Sequence, residues 1–194
     1  MGRYLRYHGH GVNLILIITI VTQISLLVFL VSSKSVEADE DDDKTIVRKL
    51  CSQSLEPEPC LDCILSDKGR GTSNISDLAY SIMFCMYSQA THAHDSADQL
   101  FQNTTEEVGL KIAFEVCKDT LFSASNTLWD GLTKLEVSDF QNALVSARIA
   151  HANLFQCVSA FRKYADVAIP SELVEHMVVA KRLYDVVRFM FYLI

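Results

Sequence analysis

The chain reads as an all-α protein: an antiparallel four-helix bundle with an N-terminal helical hairpin extension, bridged by disulfides. Three observations predict this. After Lys44 the only prolines are Pro57, Pro59 and Pro170 and glycines are sparse, which is the punctuation of a helical protein. Four long segments repeat apolar residues at alternating spacings of three and four, with no strand-like alternation competing. All six cysteines, at 51, 60, 63, 85, 117 and 157, follow an apolar leader.

The leader comes first in the chain. Residues 1–13 carry Arg3 and Arg6 and no acid, and Leu14 to Val31 hold no charge. Val36 and Ala38 then supply the small residues that a signal peptidase accepts, so residues 1–38 read as a signal peptide. Retained, the same apolar run is long enough to serve as a signal anchor. Gly2 lacks the Ser or Thr of a myristoylation site. Residues 39–44, DEDDDK, read as an acidic disordered segment held open by self-repulsion. Cleavage after Ala38 removes Arg3, Arg6, Lys34 and Glu37, leaving 14 basic and 23 acidic residues and a formal charge of −9. Such a surface argues against nucleic acid or anionic lipid as a partner, because phosphate binding needs a basic footprint. A membrane enters only if the leader is uncleaved.

Residues 45–68 hold a short apolar patch (Ile46, Val47, Leu50), a proline-broken turn and the segment CLDCIL. This is too little to fold alone, so it is predicted as a hairpin leaning on the bundle of residues 69–194. The first bundle stripe is Ile75, Ala79, Ile82, Met86, Ala90, Ala93, Ala97 and Leu100. The second runs Leu110, Phe114, Cys117, Leu121, Ala124, Leu128 and Leu135. Phe140, Leu144, Ala147, His151, Leu154, Val158 and Phe161 form the third, and Leu173, Met177, Ala180, Tyr184, Val187, Phe191 and Ile194 the fourth. Amphipathic helices joined by short links bury such stripes against one another. Ser138 to Gln141, SDFQ, has the form of a capping box with Ser138 as cap. Pro170 and Ser171, followed by acids, suit a helix N-terminus.

An even cysteine count in an oxidising compartment implies disulfides. Cys117 and Cys157 each lie twenty residues from Val137, where the second and third bundle helices turn. Residues equidistant from the turn of an antiparallel hairpin face each other, so these two are predicted to bond, stabilising the fold by roughly 4 kcal/mol in the chain-entropy model. Cys51 and Cys60 flank the proline turn and are predicted to staple it. Cys63 and Cys85 either pair with each other or remain buried thiols. The C-x-x-C of Cys60 and Cys63 lacks the preceding strand of a thioredoxin-like site, and no second ligand pair stands at zinc spacing. His92 and His94 point about 200° apart on a helix and cannot share a metal. His151, on an apolar stripe, reads as a satisfied core histidine.

No nucleophile elbow, metalloprotease motif, phosphate loop or dinucleotide fingerprint is present. The pairs Glu106–Glu107 and Glu56–Glu58 fall in loops, and Trp129 reads as a packed rim residue. The chain is therefore expected to be no enzyme and to need no metal or cofactor. Two glycosylation sequons, at Asn74 and Asn103, flank the first bundle helix and are expected to be exposed.

From Lys44 onward the chain resembles the plant invertase and pectin methylesterase inhibitor domain family. The resemblance rests on LCSQSLEPEPC, on CILSDKGRGTSNISDLAYSIM, on Cys117 in a long helix and on SDFQNALVSARIAHANLFQC forty residues later. Cys51–Cys60 and Cys117–Cys157 match the family's two disulfide spacings, whereas Cys63 and Cys85 depart from its simplest pattern. The resemblance implies a secreted protein of the apoplast or cell wall, without chemistry of its own. It would block a carbohydrate-acting enzyme, a pectin methylesterase or an acid invertase, by docking at the active-site cleft. Some invertase inhibitors of the family aim a Pro-Lys-Phe tripeptide at the sugar pocket from the loop before the third bundle helix. Here that stretch places Ser138, Asp139 and Phe140, which makes them the candidate target-contact loop. Phe140 matches, but Asp139 stands where the Lys would fall and the Pro is absent. The alternative is a secreted or membrane-anchored helical-bundle ligand without inhibitory activity.

Overall fold

The apolar stripes become helices because each lets a long segment bury one face while its backbone satisfies itself. The computed structural model describes residues 45–54, 57–66, 74–105, 107–165 and 168–192; the leader and the acidic segment lie outside them. Residues 45–51 form α1, and α2 follows at Glu58–Ser66. Four long helices come next: α3 (Ile75–Asn103), α4 (Val108–Glu136), α5 (Phe140–Ala160) and α6 (Ser171–Met190). No strand occurs among the described residues.

Each long helix packs on the next, and α6 closes on α3, so the four stand as an antiparallel square. Small residues make this possible. Ala79, Ala90, Ala93 and Ala97 of α3, Ala113 and Ala124 of α4, and Ala143, Ala147 and Ala150 of α5 are all buried and let the backbones approach. Larger side chains fill the two ends. Leu78, Ile82, Met83, Met86, Leu128, Leu132, Val187 and Met190 pack near the hairpin. Phe114, Leu121, Leu154, Phe161, Leu173 and Met177 fill the far end, where Phe114 and Phe161 meet edge to face at 5.3 Å. A buried Leu or Phe of this kind stabilises the fold by roughly 1.5–3 kcal/mol.

The hairpin does more than lean. Val47 and Leu50 of α1 and Ile64 of α2 join the same core cluster as α3 and α6, so the hairpin closes that end of the bundle. The stripe predicted for α5 is displaced: Phe140, His151 and Val158 are only half buried, while Ala143, Ala150 and Cys157 are fully enclosed.

The α4–α5 link corrects the predicted capping box. Ser138 is not the cap. It stands at φ 59°, the left-handed conformation that terminates a helix, and its amide donates to the Leu135 carbonyl at 3.0 Å. The Asp139 amide reaches back to Lys134 O at 2.8 Å, which completes a Schellman closure of α4. Asp139 then caps α5, its Oδ1 accepting from the Asn142 amide at 3.3 Å and its Oδ2 from Asn142 Nδ2 at 2.7 Å. The cap shifts by one residue because Ser138 is already committed to ending the previous helix.

A five-residue π turn, Phe161–Ala165, follows α5 where an uninterrupted helix was expected through Phe161. It carries the Tyr164 carbonyl so close to Gly109, in the first turn of α4, that a side chain at 109 would collide with backbone. Gly109→Ala is therefore expected to lower stability by about 1–3 kcal/mol in urea unfolding. Ser138→Gly should raise it by about 1 kcal/mol, because glycine holds the left-handed conformation without the Cβ penalty.

Candidate functional site

The α3–α4 hairpin sets the geometry of the outer surface. Its two helices pair in one register, so that residues descending α3 meet residues climbing α4. Lys118 Nζ lies 3.9 Å from Asp98, the His94 and Phe122 rings are 5.5 Å apart, and Tyr87 and Trp129 meet at 5.5 Å. Phe84 continues the row at 6.0 Å from Tyr87. At the other end the Lys118 ammonium sits over Phe101, 4.5 Å from the ring centre. The core lies behind these side chains, so the row is left facing solvent. Phe122 is 55% exposed, Trp129 52% and Phe84 44%. Trp129 is thus not a packed rim residue but the centre of an exposed aromatic face. Trp, Tyr and Phe concentrate at the centres of protein interfaces, which makes this exposed row the candidate site of the molecule.

Stripe analysis missed this face because it seeks the buried side of each helix. The signal was nonetheless present: Phe84, Tyr87, Thr91 and His94, and on the facing helix Phe122 and Trp129, repeat at heptad-like spacing outside the core stripes.

The cysteines hold the scaffold behind the face. Cys51 is bonded to Cys60 across the α1–α2 turn, with Cα atoms 5.5 Å apart. Cys117 joins α4 to Cys157 of α5 at a Cα separation of 4.2 Å. Cys63 is bonded to Cys85, tying α2 to α3 with a 6.1 Å Cα separation, so all six cysteines are paired. Between the Cys117–Cys157 bond and the turn, Asn153 Nδ2 donates to Ser123 Oγ at 3.1 Å, and Ser146 lies opposite Asp130 at 3.4 Å. All three contacts fit the register of a hairpin folded at Val137 and Ser138.

Asn74 and Asn103 bracket α3, and both are exposed. Asn74 caps the helix, its Oδ1 accepting from the Ser76 amide at 2.9 Å, while Asn103 is the last helical residue. Ser138, Asp139 and Phe140 line a shallow depression of about 240 Å³ with Gln141, Leu144 and Phe191. Phe140 turns toward Phe191, with ring centres 6.2 Å apart. Hydrogen bonds from the Asn142 side chain and backbone hold the Asp139 carboxyl below its ordinary value. The three residues are occupied in joining helices and offer no projecting finger.

The histidines do not converge. His92 packs against His176 with ring centres 5.4 Å apart, and His94 Nδ1 lies 3.1 Å from Asp95. Among the described residues no group of three or more His, Cys, Asp or Glu is arranged to hold a metal ion. His151 is not the satisfied core histidine that its stripe position suggests. It stacks on Tyr184 at 4.1 Å and meets Phe155 edge-on at 4.9 Å, but its buried Nε2 has no protein hydrogen-bond partner. It lines an apolar groove of about 290 Å³ between α5 and α6.

These elements define a class of protein: a helical bundle stapled by disulfides, capped at one end by a docked hairpin and offering an aromatic helix face. More particularly, the chain belongs to the plant invertase/pectin methylesterase inhibitor family, whose model matches residues 45–190. The fold is similar to that of two solved Arabidopsis proteins. One is a mutant form of a pectin methylesterase inhibitor, 19% identical, with a TM-score of 0.62 over 74% of this chain and 93% of that one. The other is a pectin methylesterase inhibitor from Arabidopsis thaliana, 17% identical, with a TM-score of 0.57 over 75% and 93%. No curated protein matches the chain as a relative. No helix among the described residues is long and apolar enough to cross a membrane.

Burial pushes the His151 imidazole below its ordinary value, the nearby Asp185 opposing only in part. The folded protein therefore takes up this proton at lower pH than the unfolded chain does. The stability it contributes is whole above about pH 6.5 and is lost as pH falls through the folded value. His151→Phe, which keeps the stack on Tyr184, should lose less melting temperature than wild type between about pH 7.5 and about pH 5.

Proposed function

We propose that this protein is an extracellular proteinaceous inhibitor of a plant cell-wall enzyme, a pectin methylesterase or an acid invertase, that acts by docking rather than by chemistry. Family membership supports the class of activity. The observation that carries the docking mode is the exposed row of Phe84, Tyr87, Trp129 and Phe122 on a scaffold whose core is already complete without it. An apolar aromatic surface on an acidic protein is ordinarily kept because something covers it.

In this reading residues 1–38 deliver the chain to the apoplast and residues 39–44 form a solvated spacer ahead of the domain. Asn74 and Asn103 carry glycans at the two ends of α3, clear of the mid-helix aromatics that meet the target. In this reading the principal contact is made by the α3–α4 face rather than by the α4–α5 link of Ser138, Asp139 and Phe140. Asp139 and Phe140 are engaged within the fold, so the α3–α4 face takes the place of a loop inserted into the sugar pocket.

Purified protein at micromolar concentration and mildly acidic pH should reduce the activity of a pectin methylesterase or an acid invertase stoichiometrically. Loss of neither activity overturns the reading. Trp129→Ala should weaken that inhibition by roughly ten- to thirty-fold, the effect of truncating a central aromatic anchor, with the melting temperature unchanged. Asp139→Asn should leave inhibition as it was. The reverse pattern would move the contact to the α4–α5 link.

A further inference from the structure

We infer that the Cys63–Cys85 bond is a thiol-sensitive tether that fastens the hairpin to the bundle and opens before the other two. The three disulfides differ in their access to solvent. Cys51, Cys117 and Cys157 are fully enclosed and Cys60 is 1% exposed, whereas Cys63 is 9% exposed and Cys85 is half buried. Both of these cysteines line a groove of about 760 Å³ between α2, α3 and α6, whose walls include Asp62, Ser66, Tyr80, Phe84 and Gln89. Thiol–disulfide exchange requires a thiolate to approach one sulfur in line with the bond, so access decides which bond opens first. Among the described residues this bond is the one with a partly exposed cysteine, and it borders a space that admits the attacking group.

The chemistry is that of a dithiol reductant. Its thiolate attacks the more accessible Cys85 Sγ, forming a mixed disulfide there and expelling Cys63 as a thiolate, which then takes up a proton. The second thiol of the reductant resolves the mixed disulfide. Two electrons pass to the protein, which gains two thiols, and the reductant leaves as its own disulfide. The Ser81 carbonyl lies 3.6 Å from Cys63 Sγ, so the new thiol finds an acceptor in place.

The consequence is local. Cys51–Cys60 still joins α1 to α2, and Cys117–Cys157 still joins α4 to α5, so the hairpin and the bundle each stay intact. The disulfide cross-link from α2 to α3 is lost, and beyond the chain itself the hairpin is then held by core contacts such as those of Val47, Leu50 and Ile64. Reduction converts a fixed hairpin into a hinged one and widens the groove beside Phe84. The device does not depend on which enzyme, if any, the protein inhibits.

The test uses the oxidised protein as secreted by a eukaryotic host, incubated with graded dithiothreitol, quenched by alkylation and mapped by peptide mass spectrometry. Cys63 and Cys85 should be alkylated at reductant concentrations at least about ten-fold below those that label Cys51, Cys60, Cys117 or Cys157. At that point hydrogen exchange of the α2 amides should rise about ten-fold with α4 and α5 unchanged. Simultaneous opening of all three bonds, or earlier opening of another, overturns the proposal. The Cys63→Ala, Cys85→Ala double variant should exchange its α2 amides like the selectively reduced protein. If it exchanges them like the oxidised one, the bond is no tether.

Discussion

Everything else in this fold depends on how closely α4 and α5 approach. The Cys117–Cys157 bond spans Cα atoms 4.2 Å apart, a distance that two helices reach only where their facing side chains are small. Ala113, Ala124, Ala143, Ala147 and Ala150 provide that surface. Close approach leaves little room for water, so the polar residues buried at the same seam, Asn153 and Ser146, must find partners at its exposed edge. Asn153 bonds to Ser123, and Ser146 faces Asp130. The disulfide therefore marks a register already written into the alanine pattern, and it restricts the unfolded chain more than it shapes the folded one.

With that hairpin in place, α3 and α6 have defined neighbours, and the α1–α2 hairpin has a surface to close. The hairpin is too short to hold a core, yet its few apolar residues complete one end of the bundle. This division of labour suits a domain of modest size. Burial supplies most of the stabilisation and the cross-links guard the parts where burial is thin.

Much of the fold was legible in the residues. Apolar spacing revealed the four long helices, because burial selects one face of each. The equal distances of Cys117 and Cys157 from Val137 exposed the hairpin register, because antiparallel packing is symmetric about its turn. What stayed hidden has physical causes too. Ser138 looked like a cap because capping preference concerns one helix at a time, and the string does not reveal that α4 ends where α5 begins. The π turn after Ala160 carries no breaker residue; it answers to the packing of Phe161 and to the space left by Gly109. Trp129 was misplaced for a third reason. Its place near the end of α4 suggests a rim residue packed on its neighbours, and only the register of α3 against α4 sets it in an exposed row beside Tyr87.

The back-to-back junction at Val137, Ser138 and Asp139 has a bearing on how this end of the molecule can change over evolutionary time. Its backbone groups close one helix while the adjoining carboxylate opens the next, with no slack residue between. A single inserted amino acid would have nowhere to loop out without breaking one of the two terminations. Absorbed instead into α5, it would rotate that helix by about 100° relative to α4, carrying Cys157 away from Cys117. A one-residue change of length is thus costly at a site that looks, from the outside, like an ordinary surface turn.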